Sequence, residues 1–371
     1  MKTIEENTTK ATYWEAPFKY LPHQSEEIVQ NWYKARAYVL SMLKDQLDPS
    51  VSRPKRWHFI VNGDSALMLS VVRHMALYAH FILSEENTTI SIVSKKKADE
   101  IETELKKEEY LCNLPDYCPL TIYGKAKNHN SYLDLNLDIE LEVIKDYGGD
   151  KDVISEEKVL SWIADQKQED IFHIDTRKAI YASETYNLGA RIDNLPYEDI
   201  NSSKRYSKAL EAFECDVLEN KEKKLQLIDK DKWESDLYTV KCGLSNIFCA
   251  DCFEIRKAEI TSLTRKEQKN EDETMQKHIE ELAHCEHNRW IVEKLILGYN
   301  PLGKDEIFTY EHLFGKQRQA YLKSLKIRKD APMHIDLCSN NDLRRIDPDN
   351  MKYDSFLMLA IPKILKAVEK A

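Results

Sequence analysis

Residues 56 to 63, RWHFIVNG, form a short β-rich run that ends in glycine and leads directly into DSALMLSVVRHMALYAHFILS, which is long and apolar enough to be a buried helix. A second pair follows at once. TTISIVS at 88 to 94 has the composition of a strand, and KKKADEIETELKKEEY after it reads as a charged surface helix. This βαβα order constrains the chain more than any other feature, because strands joined through a helix run the same way and pair in parallel. Further strands are expected at PLTIYG (119–124), LDIELEVIKDY (137–147) and EDIFHID (169–175), with helices at 156–166, 176–196 and 202–214. The expected fold class is α/β with a mostly parallel sheet, covered by helices on both faces.

A helix over 24–48 precedes the sheet, its Ile28, Trp32, Ala35, Val39 and Leu43 recurring at three-and-four spacing. Two polar runs, NKEKKLQLIDKDK at 220–232 and RKEQKNEDETMQK at 265–277, enclose the boundary between two folded parts. The expected organisation is a helical segment 1–50, an α/β domain 51–225, a helical linker 226–273 and a mainly helical domain 274–371. At 371 residues the chain exceeds what one hydrophobic core usually organises.

Lys plus Arg number 54 against 64 Asp plus Glu, a formal net charge of −10. That balance supplies no general attraction to nucleic acid polymers or to anionic membranes, so a nucleotide would have to be held by a local pocket. The polar start MKTIEENTTKATYW lacks the apolar core of a signal peptide, and no run approaches a membrane span. A cytoplasmic protein with reduced thiols is expected. Its eight cysteines are too dispersed for a disulfide framework, and Cys249-x-x-Cys252 has no second pair at metal-binding spacing, so no metal site is expected. No cofactor is implied beyond a nucleotide ligand.

The most informative segment is LAHCEHNRWIVEKLILGYNPL at 282–302. His287, Arg289, Trp290, Glu293, Lys294, Gly298 and Tyr299 fall at the spacing EH-x-RW-x-x-EK-x-x-x-GY, and MHIDLCS follows with His334, Asp336 and Leu337. Tyr353 and Asp354, then Ile361 and Pro362, complete the order in MKYDSFLMLAIPKIL. These motifs resemble the RyR domain, the repeat of ryanodine receptors that also occurs in bacterial proteins. LSNIFCADCFEIRKAEI at 244–260 is similar to the helix that often precedes that module. The resemblance implies a mainly helical domain that recognises nucleotide-like small molecules, with His287, Arg289, Trp290, Glu293, Lys294, Tyr299, His334, Asp336, Tyr353 and Asp354 as its ligand-binding candidates. It also implies a place in bacterial systems that sense nucleotide signals during conflict with phage. Between Pro301 and Pro332 the chain is longer than the family's short hairpin, so no contact is carried over there. On the residues alone, His287, Trp290 and Tyr299 serve equally as packing residues, whereas Arg289, Arg344 and Arg345 have the fork geometry that phosphate favours.

The turn after the first strand holds Gly63, Asp64 and Ser65 but lacks the G-x-G-x-x-G spacing of dinucleotide sites. Gly63 and Ser65 are placed to bind phosphate at a helix N-terminus, and Asp64 or Ser65 is equally suited to be a plain N-cap. The second strand runs into Lys95, which suits an extra phosphate or a solvated helix start. Asp175, at the end of an expected strand, is either a pocket residue or a cap. The whole N-terminal arrangement resembles the Rossmann-like domains of RCK or TrkA type that accompany RyR modules.

Three functions are compatible with these features: a sensor of a nucleotide-like small molecule, a scaffold that binds a protein partner or a second copy, and an enzyme acting on a nucleotide. No catalytic residues are assigned, since no nucleophile, metal set or paired acid is recognisable.

Overall fold

The computed structural model describes residues 25–47, 54–175 apart from 83, 128–130 and 150–151, 178–185 apart from 180 and 184, and 243–369 apart from 330. The expected helices at 176–196 and 202–214 and the polar run at 220–232 lie largely or wholly outside these residues. The chain forms two compact units, each assembled from separated segments. One comprises 1–53, 161–286 and 352–371, and the other 54–160 and 287–351.

In chain order, α1 spans Glu26–Gln46, β1 His58–Asn62, α2 Ala66–Tyr78, β2 Thr88–Val93, α3 Ala98–Leu105 and α4 Leu114–Tyr117. Next come β3 Leu120–Ile122, β4 Lys125–Ala126, β5 Ile139–Ile144, β6 Val153–Ser155, α5 Glu156–Ala164 and α6 Gln168–Ile171. After residue 242 follow α7 Gly243–Asp251, α8 Phe253–Glu267, α9 Glu271–Lys277, α10 Ile279–Ile296 and β7 Asn300–Pro301. The chain closes with α11 Lys304–His312, α12 Gly315–Lys326, β8 Met333–His334, α13 Asn340–Ile346 and α14 Met351–Glu369.

The six-stranded sheet has the order β4-β3-β5-β2-β1-β6. Every pairing is parallel except the β3–β4 edge hairpin. β2 and β6 lie on opposite sides of β1, so the strand order reverses there, and connections leaving the carboxyl ends of β1 and β6 diverge. α2 is buried along its length, with Leu67, Met68, Leu69, Val71, Val72 and Met75 in the core, as a crossover helix between parallel strands must be. β5 is different. Its Ile139, Leu141 and Val143 are buried while Glu140, Glu142 and Ile144 are half-exposed. That face carries cross-strand polar contacts: Arg56 donates to Thr89 and to Glu140 at 3.0 Å, and Ser91 bridges His58 and Glu142 at 2.8 Å each. The alternation is confined to β5: consecutive residues of β1 (Phe59, Ile60, Val61) and of β2 (Thr88 to Ile92) are all buried, so the centre of the sheet is covered on both faces, as the βαβα order leads one to expect.

EDIFHID is not a strand. Residues 168–171 make one helical turn and 173–175 are irregular, with Ile171 and Ile174 buried three positions apart. That interval brings two side chains to one side of a turn, whereas a half-buried strand buries every second residue. The last parallel strand is instead β6, three residues whose shortness hides them in sequence. The lead-in helix at 244–260 is broken at Cys252 into α7 and α8. The long segment between Pro301 and Pro332 folds as two helices, α11 and α12, followed by β8, which pairs in parallel with β7.

Candidate functional site

The second unit gathers side chains from α10, the turn after it and β8. His287, Trp290 and Lys294 recur at three and four residues and so share one stripe of α10. Gly298 ends the helix at φ +81°, and the amide of Tyr299 donates to the Lys294 carbonyl at 2.9 Å, which turns Tyr299 back toward the helix. His334, on β8, meets Trp290 edge-on with ring centroids 4.8 Å apart and stands 6.4 Å from Tyr299. The His287 ring stacks with Trp290 at 6.1 Å, and its Nε2 lies 2.9 Å from the Cys338 carbonyl, tying α10 to the segment after β8. Lys294 Nζ sits 5.3 Å from the Trp290 ring centroid, within cation–π range.

The protonation of His334 follows from its neighbours. Burial, together with the positive charges of Lys326 and Lys294, holds its pKa well below the ordinary histidine value. The amide of Asp336 donates to His334 Nδ1 at 3.2 Å, so the neutral ring carries its proton on Nε2. The Asp336 carboxylate accepts two bonds from Asn350 Nδ2, both at 3.0 Å. The cluster therefore combines an indole, a neutral imidazole with an N–H donor, a phenol and two lysines, with Trp290 and His334 only partly buried.

Arg289 has a different position from the one expected. Helical periodicity turns it away from the His287–Trp290–Lys294 stripe, it is completely buried, and it pairs with Glu293 at 2.8 Å. Glu293 also bonds Lys294 at 2.6 Å. Burial opposes ionisation of Glu293, but the two cations outweigh it and hold the carboxyl below its ordinary pKa. Arg289 is thus committed inside the protein rather than presented to an anion. Arg345 is exposed and pairs with Glu311 at 3.3 Å and Asp342 at 3.2 Å. Tyr353 and Asp354 stand at the start of α14 and belong to the other unit, not to the one that holds this cluster.

At the carboxyl end of β1, Gly63, Asp64 and Ser65, expected to be free for phosphate, have local partners. The amide of Gly63, at φ +122°, donates to the Val93 carbonyl at 3.1 Å. Ser65 is the N-cap of α2, accepting from the Met68 amide at 3.4 Å. Asp64 accepts from the Ser94 hydroxyl and pairs with Lys96 at 3.5 Å, while Lys95 points to solvent. Of the two readings open in the sequence, Ser65 adopts the cap.

The first unit holds a cavity of about 390 Å³ between α1, the segment 162–178, and α7–α8. Its wall includes Arg36, which forks onto Asp251 with Nε 2.7 Å from Oδ2 and donates to the His173 carbonyl at 2.9 Å. Lys178 pairs with Glu254 at 2.7 Å on the same lining, and Asp175 is part of it too. Asp175 therefore lines a cavity, though not at a strand end. Arg36 was missed in the sequence although a signal existed, since it interrupts the apolar face of α1 one turn after Trp32.

Among the described residues no group of three or more His, Cys, Asp or Glu is placed to hold a metal, and no helix is long and apolar enough to cross a membrane. Burial pushes the thiols of Cys112, Cys118 and Cys338 up, which keeps them protonated and poorly nucleophilic. In comparisons with protein-family models, curated proteins and solved structures, nothing matches this chain.

Proposed function

We propose that this chain is a non-catalytic sensor of a nucleotide-type small molecule, which it binds at the Trp290–His334–Lys294 cluster of a RyR-like module joined to a Rossmann-like sheet. The observation that carries this reading is the convergence of Trp290, Lys294, Tyr299 and His334 from two elements, with His334 kept neutral beside two lysines. A planar base stacks on an indole, and such contacts are worth about 1–3 kcal/mol each. The His334 Nε2–H is a donor for the edge of a base, and the positive potential from Lys294 and Lys326 favours a ligand that carries phosphate. Recognition alone is the role such a group set supports, because it brings together no activated nucleophile and no pair of carboxyls with separated pKa values.

The test is a thermal-shift panel on the full chain with ATP, cyclic mono- and dinucleotides, NAD, NADP and ADP-ribose. A ligand at ten times its dissociation constant stabilises by about 1.4 kcal/mol. The expected result is a shift with at least one nucleotide that Trp290→Ala abolishes and Ser65→Ala leaves intact. A panel without any shift, or a shift that survives Trp290→Ala, overturns the proposal.

A further inference from the structure

We infer that α12 and the turn before it form a docking surface for a single-stranded polynucleotide. The surface lies where the chain departs from its family resemblance, and of its cations only Lys326 also acts on the Trp290 cluster, through His334. From Gly315 to Lys329 the sequence has six cations, Lys316, Arg318, Lys323, Lys326, Arg328 and Lys329, and no acidic residue. The formal net charge of −10 is a sum over the chain and conceals this segregation.

The helix sorts these residues by face. Leu325 is buried and Arg318, Tyr321 and Leu322 are half-buried, so that side of α12 rests on the protein. At 100° per residue, Lys316, Ala320, Lys323 and Ile327 lie on the opposite side, and all four are exposed. Lys316 and Lys323 are two turns apart, about 10 Å along the axis, and Lys329 is exposed just beyond the helix. Among the described residues, no carboxylate forms an ion pair with Lys316, Lys323 or Lys329, whereas Arg328 is tied to Glu306 at 3.3 Å.

An exposed aromatic ring, Phe314, stands at the N-terminal end of this stripe. Phe314, the residue before the helix, is 72% exposed, and Phe308 on α11 is 63% exposed. The Arg318 guanidinium packs 4.5 Å from the Tyr310 ring centroid and 5.5 Å from that of Phe314, which fixes the ring at the surface. Lysines in a row for phosphates, with an open ring to stack a base, are the two components of sequence-tolerant single-strand binding. An anionic bilayer fits less well, because an interfacial helix needs a continuous apolar stripe along its exposed side, and here Ala320 and Ile327 alternate with Lys316 and Lys323. A duplex offers phosphates but no unstacked base for Phe314.

The test measures fluorescence anisotropy of labelled 20-nucleotide dT and rU strands with the full chain, across a salt series beginning at 50 mM. Three neutralised phosphates predict a slope of log affinity against log salt of about −2. Lys316→Glu with Lys323→Glu and Lys329→Glu should weaken binding at least tenfold at 50 mM salt while leaving the melting temperature unchanged, since all three side chains are exposed. Phe314→Ala should weaken it at least fivefold without altering the salt slope. The inference is overturned by absence of binding at 50 mM salt, by binding the triple variant retains, or by tighter binding to duplex or to phosphatidylserine vesicles than to either strand.

Discussion

The turn after β1 and the stripe on α10 are both polar sites in the same unit, and they use their polarity in opposite ways. At the turn, Gly63, Asp64 and Ser65 occupy the place where parallel α/β sheets often bind ligands, yet each is consumed locally by Val93, by Ser94 and Lys96, or by the first turn of α2. On α10 Arg289 is likewise consumed by Glu293, but that one carboxylate faces two cations, so Lys294 leaves a net positive charge beside the aromatic and imidazole groups of Trp290 and His334, which stay partly open. Position in a fold marks where a ligand could bind; what remains after the backbone and buried charges are satisfied decides whether anything is left to bind with.

The comparison is broken most severely at Glu293. Replacing it with Gln leaves Arg289 buried without the carboxylate that neutralises it, and removing one partner of a buried ion pair typically costs about 3–5 kcal/mol. Glu293→Gln should therefore lower the urea midpoint by that equivalent. A loss under 1 kcal/mol would mean that the triad is solvated and that α10 does not hold its charges in the way described.

His334 sharpens the comparison through pH. Its folded pKa lies well below its ordinary value of 6.5, so below that pH the unfolded chain takes up a proton that the folded chain refuses. This contribution to stability is complete above about pH 6.5 and is lost as pH falls from there toward the folded value, at up to about 1.4 kcal/mol per pH unit. Between pH 7.5 and 5.5 the wild type should lose about 1 kcal/mol more than His334→Gln in urea titrations. Equal losses would show that the imidazole is not shielded by burial and the two lysines.

How much of this was legible in the sequence depends on how local the cause is. β1, α2, β2 and α3 follow from period and composition over short windows, and Gly298 announced the end of α10 because a left-handed residue there favours glycine. β6 was not legible: three residues carry no period, and their identity as a strand rests on pairing with β1 about ninety residues earlier. EDIFHID misled because a short apolar run fits a strand or a helical turn equally well. The motif spacing named His287, Trp290, Lys294 and Tyr299 together, and their chemistry pointed to a ligand. It could not reveal that Arg289 faces inward, since helical phase shows which residues share a side but not which side is buried. Lys326 escaped notice because it reaches His334 from a segment with no counterpart in the resemblance.

Gly298 offers a further test of how the α10 site is built. An alanine there must hold φ near +81°, at a cost of about 1–2 kcal/mol. Its Cβ would lie 3.6 Å from Cys112 Sγ, an ordinary contact, so the cost is backbone strain and not crowding. Gly298→Asn should recover part of the loss in thermal melts, because asparagine tolerates left-handed backbone better than alanine does. If asparagine and alanine are equally destabilising, side-chain volume rather than φ limits the position.

The smallest effect belongs to the β1 turn, and it discriminates between the two sites most cleanly. Ser65→Ala removes the oxygen that accepts from the Met68 amide, and loss of an N-cap typically costs about 0.5–2 kcal/mol. The 3.4 Å length of this bond places the expected loss near the lower end. Ser65→Gly should cost only a few tenths of a kcal/mol, as glycine is itself an acceptable cap. If Ser65 is a cap and nothing more, both variants shift the melting temperature while any nucleotide-induced stabilisation keeps its size relative to the unliganded variant. A selective loss of that stabilisation in Ser65→Ala would move the ligand from α10 to the carboxyl end of β1, reversing the assignment of the two sites.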